Sequence, residues 1–224
     1  MAAEMNPEFW HERWTLGEIG FHQLEFNFHL QLYFNRLELS SGAHVFVPLC
    51  GKSLDMVWLL EQGYQVTGIE ISPLALKEFF EENGLRPEIR DHSGAAVYRC
   101  DNLEIYCGDF FTIDLSKLDP VDAVYDRASL IALPPDMRVA YAERLTGLLA
   151  GGTPTLLLSL EYPQQEMPGP PFSVSRAEIE ELYGSHYRIE HIFSEDCLAR
   201  EPRFREKGLT RFEEHVYLLQ KHYR

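Results

Sequence analysis

Two short apolar runs, His44 to Pro48 and Tyr64 to Ile69, flank a helix-spaced segment from Leu54 to Glu61 that closes at Gly63. Two strands joined through a helix pair in parallel by a crossover, and a parallel pair is covered on both faces. No other feature of the sequence narrows the fold as far. The alternation continues. Ser72 is placed to cap a helix over Pro73 to Glu82, with Pro73 at its first position, and that helix ends near Asn83 and Gly84. Ala96 to Tyr98 and Leu103 to Cys107 read as a hairpin turned at Asp101 and Asn102. Val121 to Tyr125 reads as a buried strand, Pro135 to Leu149 as a helix and Thr155 to Leu160 as a strand. A helix over Arg176 to Tyr183 and strands over Tyr187 to Phe193 and Glu214 to Leu219 complete the chain. The fold class is therefore α/β, with a mostly parallel sheet, helices on both faces and a ligand at the carboxyl ends of the strands.

Two helices precede the first strand, over Glu4 to Trp14 and Leu24 to Leu37, with a break through Gly17, Gly20 and the GFHQ segment. The chain of 224 residues fits one domain, read as a helical cover over residues 1–42 and a core over 43–224. The stretch EYPQQEMPGPPF, residues 161–172, is the most loop-like, and reads equally as a lid or as a surface connection.

Composition removes several classes. A formal net charge of -15 opposes a phosphate backbone, so nucleic acid is not an expected partner. Cys50, Cys100, Cys107 and Cys197 form no C-x-x-C pair, which points to reduced thiols in a cytoplasm. The N-terminus carries acids and aromatics where an export signal has a basic end and an apolar run, and no apolar stretch approaches the ~20 residues of a membrane span. A cytoplasmic protein without a membrane partner is expected.

The turn after the first strand reads VPLCGKS, which imitates a phosphate loop. That motif needs a glycine five residues before Gly51, where backbone N–H groups wrap the phosphates, and the position is Phe46. The VDAVYD run, residues 121–126, ends in an acid as a magnesium-holding strand does, but an acid after a buried strand is common in any α/β fold. The dinucleotide motif also fails, because Gly51 has no partner glycines. What remains is Glu70, 19 residues beyond Gly51 at the end of the second strand, where an acid accepts the hydroxyls of a ribose. An adenosine-bearing ligand without a required diphosphate fits, and S-adenosylmethionine is such a ligand. Read without a ligand, Glu70 is a solvated acid at a strand end.

The segments EFWHERW (8–14), GFHQ (20–23), VPLCGKSLDMVWLLEQGYQVTGIE (47–70), YCGDFF (106–111) and YDRASLIALPP (125–135) resemble the bacterial thiopurine S-methyltransferases, in order and over nearly the whole chain. The resemblance implies the Rossmann-like class I methyltransferase fold, a three-layer sandwich with a seven-stranded, mostly parallel sheet, a terminal antiparallel strand and N-terminal helices over the active site. It implies methyl transfer from S-adenosylmethionine to sulfur of aromatic or heterocyclic thiols, with selenium and tellurium compounds also associated with bacterial members. It implies cofactor contacts from Trp14, Leu49, Glu70 and Arg127, with Asp109 and Phe110 beside the adenine. Phe21 and Arg127, with Arg203 as a second arginine, are expected on the substrate side, because an arginine at a strand end of an otherwise acidic chain suits an anionic acceptor; the resemblance implies a monomer. No metal and no general base is required, so no residue is assigned as catalytic; His22 attracts attention only as a histidine beside a turn. The closing segment departs from the family at Pro202, where bacterial relatives carry tryptophan, and this leaves Arg200 and Arg205 as alternatives to Arg203. Outside the family, the readings are a chalcogen-binding protein using thiols such as Cys50 and Cys107, and a P-loop kinase.

Overall fold

The computed structural model describes residues 6–20, 22–116 and 118–223. The chain forms two compact units, Met1–Ala123 and Val124–Arg224. The first opens with α1 (Pro7–Leu16), capped by the Asn6 side chain on the Phe9 N–H and ended by Gly17 at φ 68. In α2 (Phe28–Tyr33), Asn27 caps the His29 and Leu30 N–H groups, and a tight 3-10 turn over Phe34–Leu37 follows. The backbone N–H of Asn27 donates to the buried Asp55 carboxylate at 2.8 Å, which ties this entry segment to the first turn of α3 (Asp55–Glu61).

The core of the first unit is the β1 (His44–Val47), α3, β2 (Gln65–Glu70), α4 (Pro73–Glu82) succession. All four residues of β1 and the last five of β2 are buried, because a parallel strand is covered on both faces. Gly68 sits where β2 passes beneath Cys50, and a Cβ there would stand 2.7 Å from the Cys50 Sγ and 3.4 Å from the Met56 Sδ. Three further strands follow: β3 (Glu88–His92), β4 (Ala95–Cys100) and β5 (Leu103–Cys107). Within this unit the order is β3-β4-β5-β2-β1. β1, β2 and β5 run parallel, β4 runs antiparallel to β5, and β3 pairs antiparallel with β4 at the edge.

The second unit holds β6 (Ala123–Asp126, starting on the last residue of the first), α5 (Pro135–Leu148), β7 (Pro154–Glu161), α6 (Arg176–Tyr183), β8 (Tyr187–Asp196), α7 (Pro202–Glu206) and β9 (Glu213–Lys221). Its order is β6-β7-β9-β8, with β7 parallel to β6 and β9 antiparallel to β7 and β8.

The expected sheet had seven strands; among the described residues there are nine. β3, sequence EIRDH, was not readable, since its residues are exposed or half-exposed and present no alternation of apolar and polar side chains. It exists because its backbone pairs with β4. α7 was also missed: five residues opened by Pro202 are too few for a periodic signal, and Pro202 holds the first helical position, where a missing N–H costs nothing.

The 161–172 stretch is a pinned connection. Phe172 N–H donates to the Ile131 carbonyl at 2.7 Å and Val174 N–H to Leu160 at 2.8 Å. The Tyr162 hydroxyl donates to the Pro171 carbonyl at 2.6 Å, and Gln164 reaches the Met167 carbonyl and accepts the Ser173 N–H. Beneath it lies a small apolar cluster in which Phe212 stacks between Tyr162 and Phe204.

Candidate active site

The turns that leave β1, β2 and β5 meet at one carboxylate. Because β2 is flanked in parallel by β1 and β5, their carboxyl ends lie side by side. Glu70 is the last residue of β2 and is 5% exposed. Its Oε2 accepts the Gly51 N–H at 2.9 Å and its Oε1 the Ser72 N–H at 2.7 Å, while its backbone carbonyl accepts the Gly108 N–H at 2.9 Å. One residue therefore joins the turn after β1, the start of α4 and the turn after β5. Burial pushes the Glu70 carboxyl up to about 7, against the pull of the Ser72, Gly51 and Ile71 N–H groups. Three N–H groups act on this carboxylate, and an ionised carboxylate offers about four lone-pair sites, so it keeps capacity for a further donor.

The turn after β1 is folded back on β2 by the Cys50 N–H, which donates to the Ile69 carbonyl at 2.8 Å. Leu49 holds φ 45 and Gly51 φ 54. For Gly51 this conformation is free, whereas for Leu49 the left-handed region costs on the order of 1–2 kcal/mol. Strain of that kind persists where the surroundings fix it, and it clusters at ligand clamps.

Lys52, the lysine of Gly-Lys-Ser, is 8% exposed and pairs with Glu78 at 2.8 Å and Glu82 at 2.6 Å, both on α4. Its ammonium fastens a turn to a helix, which removes the phosphate-loop reading. Lys52→Ala is expected to leave adenosyl-ligand affinity within about twofold while lowering stability by about 1 kcal/mol, because the glutamates are part-exposed. Calorimetric titration and thermal unfolding read the two separately.

Asp109 opens the turn after β5 and caps it: Oδ1 accepts the Phe111 N–H at 2.9 Å and Oδ2 the Thr112 hydroxyl at 3.4 Å. Phe110 is 1% exposed and stands edge-on to Phe111. Leu49, Glu70, Asp109 and Phe110 are thus brought to one end of three neighbouring strands. Trp14 is buried on α1, a helix that packs against α4. His22 is half-buried, with its N–H on the Ile19 carbonyl at 2.8 Å. Phe21 lies outside the described residues.

Arg127 and Arg203 belong to the second unit. Arg127 is half-buried and directly follows β6. Arg203 is exposed on α7, pairs with Glu201 at 3.4 Å and lies over the Phe204 ring. Arg200, the neighbour weighed against it, is held by Glu195 at 2.7 Å.

The thiols near Glu70 are unsuited to act as thiolate ligands. Burial, then the Glu70 charge, pushes Cys50 well up and Cys107 up to about 11. Among the described residues no group of three His, Cys, Asp or Glu side chains is placed to hold a metal ion.

The features that sequence reasoning missed are backbone groups: the N–H donors of Gly51, Ser72 and Gly108, which no side-chain motif records. The only signal for them was the position of Gly51 and of the Ser72 cap.

Comparison with known proteins adds sequence and fold likeness. The family model described as "Thiopurine S-methyltransferase (TPMT)" matches residues 5–222. A curated thiopurine S-methyltransferase of Nitrosospira multiformis is 47% identical over 215 residues, spanning 96% of this chain and 98% of that protein. One from Pseudomonas fluorescens strain Pf0-1 is 46% identical, over 95% and 98%. Among solved structures, Burkholderia thailandensis 1,6-didemethyltoxoflavin-N1-methyltransferase with bound 1,6-didemethyltoxoflavin and S-adenosylhomocysteine superposes with a TM-score of 0.63 at 16% identity, over 96% of this chain and 87% of that one. A SAM-dependent methyltransferase of Methanosarcina mazei gives 0.62 at 15% identity, over 90% and 100%. At such identities the likeness is one of fold: the α/β class I methyltransferase fold.

Proposed function

The chain belongs to the thiopurine S-methyltransferase family, and from that membership we propose that it transfers the methyl group of S-adenosylmethionine to the sulfur of an aromatic or heterocyclic thiol. The observation that carries the cofactor reading is Glu70: a buried carboxylate at the carboxyl end of β2 that keeps acceptor capacity beyond its backbone N–H partners. An acceptor of that kind suits the hydroxyls of a ribose diol, while Lys52, committed to α4, is not offered to a diphosphate. The family match over 5–222 supports one catalytic domain along the chain; residues 1–42 as its cover belong to the proposal.

When bound, S-adenosylmethionine supplies an electrophilic methyl group on a sulfonium. Glu70 would hold the ribose hydroxyls, the Leu49 to Gly51 turn would approach the nucleoside or methionine portion, and Phe110 with Asp109 would border the adenine. Trp14 on α1 is proposed as a cofactor contact, and Phe21, outside the described residues, as a substrate-side residue. The displacement is in-line, so placement supplies much of the rate, with effective molarities on the order of 10⁵ M or more for well-oriented groups. The nucleophile is the thiolate of the acceptor. Heteroaromatic thiols ionise near neutral pH, so a neighbouring cation helps more than a base. Arg127, with Arg203 as a second cation, fills that role toward the anionic acceptor, or toward the methionine carboxylate. Selenium and tellurium acceptors enter the same reading as anionic nucleophiles. No helix among the described residues is long and apolar enough to cross a membrane; a cytoplasmic monomer is part of the proposal.

Titration calorimetry with S-adenosylmethionine, S-adenosylhomocysteine and ATP tests it: both adenosyl ligands bind and ATP does not. ATP binding with neither adenosyl ligand bound overturns it. Arg127→Lys is expected to raise the KM for acceptor or cofactor about tenfold, near 1.4 kcal/mol, because a point charge replaces a planar fork. Unchanged kinetics for both ligands removes Arg127 from the site.

A further inference from the structure

We propose that Asp126 and Tyr141 are positioning residues, whose hydrogen-bonded pair fixes the loop that carries Arg127. The proposal rests on the reading of Arg127 given above. β6 ends on Asp126, which is 1% exposed. Its Oδ2 accepts the Tyr141 hydroxyl at 2.7 Å, and its Oδ1 accepts the Leu130 N–H at 3.3 Å. Tyr141 is itself buried on α5. The carboxylate therefore holds both ends of a three-residue arch, Arg127-Ala128-Ser129.

The arch is under constraint. Ala128 holds φ 61, where an L side chain is disfavoured, and the Ser129 hydroxyl donates to the Arg127 carbonyl at 3.3 Å. A left-handed alanine persists only when its surroundings over-determine it. Here the surroundings are the Asp126 bonds on one side and the 3-10 turn Leu130–Ala132 on the other.

Stability alone does not explain the carboxylate. Burial pushes Asp126 up to about 6, against the bonds from Tyr141 and Leu130, and the titratable groups facing it include Tyr141 from α5 and Tyr183 from α6. Apolar residues of the same volume often serve a core as well or better than a buried charge. What an apolar side chain cannot do is accept the Leu130 N–H and the Tyr141 hydroxyl together.

Four variants of the full chain test the assignment by steady-state kinetics in acceptor and in S-adenosylmethionine, with thermal unfolding as the control for folding. Asp126→Ala is expected to raise the KM of the ligand that Arg127 serves about tenfold, with a smaller change in kcat. Asp126→Asn is expected to recover KM to within about threefold of the parent, since its Oδ1 accepts the Leu130 N–H and its Nδ2 donates to the Tyr141 oxygen. Tyr141→Phe is expected between the two, and carries the test if Asp126→Ala does not fold. An Asn variant as impaired as the Ala variant makes charge, rather than placement, the contribution and overturns the proposal. So does parental KM in Asp126→Ala or Tyr141→Phe while Arg127→Ala is impaired. Parental KM in Arg127→Ala itself instead overturns the underlying reading of Arg127.

Discussion

Glu70→Ala lowers the affinity for S-adenosylmethionine at least tenfold, on the order of 1.4 kcal/mol. The loss has two sources: the acceptor for the ribose hydroxyls disappears, and the Gly51 and Ser72 N–H groups that it gathers are released. The same residue should give affinity and stability opposite dependences on pH. Its folded pKa of about 7 lies above the ordinary 4.5, so between those values the folded state binds more protons than the unfolded one. Stability contributed by the neutral acid is fully present below about 4.5 and is lost as pH rises to about 7, roughly 3 kcal/mol in all. Hydroxyl donors favour the ionised carboxylate, so cofactor affinity instead falls as pH drops through about 7. Calorimetry between pH 5.5 and 8.5, paired with thermal unfolding over the same range, reads both trends. Glu70→Gln should flatten both, having no proton to exchange. A Glu70→Ala protein that binds as tightly as the parent, or a Lys52→Ala protein that binds worse than Glu70→Ala, would refute the assignment.

Gly68→Ala is expected to destabilise the protein by about 1–3 kcal/mol, the usual cost of overpacking a filled core. The added methyl would meet the Cys50 Sγ at 2.7 Å, with the Met56 Sδ already at 3.4 Å behind it. Cys50 cannot retreat freely, because its N–H is bound to the Ile69 carbonyl and its side chain is buried. For a chain of this length each kcal/mol lowers Tm by about 2–4 °C. Adding Cys50→Ala to Gly68→Ala should return at least half of the loss, since removing Sγ opens the space the methyl needs. A Gly68→Ala protein of parental Tm, or a double variant with no recovery, would show that the turn has another way to relax.

Legibility followed the physics of each element. Pro73–Glu82 and Arg176–Tyr183 form over the residues expected, because Ser72 and Ser175 cap them and apolar spacing marks their buried faces. β1 and β2 were readable as short apolar runs for the same reason that they are central: both faces are covered. β3 and α7 were not, since one is held by backbone pairing and the other by five residues around Phe204. At the candidate site, Glu70 was visible by its distance from Gly51. Its bonding to three turns was not, because N–H groups leave no trace in residue identity. The Lys52 partners were hidden for another reason: Glu78 and Glu82 lie 26 and 30 residues away and meet it only once α4 has folded beside the turn.

The pinned stretch between Glu161 and Ser175 bears on time rather than on place. Its Phe172 and Val174 amides are bonded to Ile131 and Leu160, and Tyr162 is stacked on Phe212. Such amides exchange with solvent only when the aromatic stack opens as a unit, so a segment whose regular structure is a single 3-10 turn over Gln164–Glu166 should show strand-like protection in hydrogen exchange. Motions that admit and release ligand on the microsecond to millisecond scale then have to be sought in other segments of the chain.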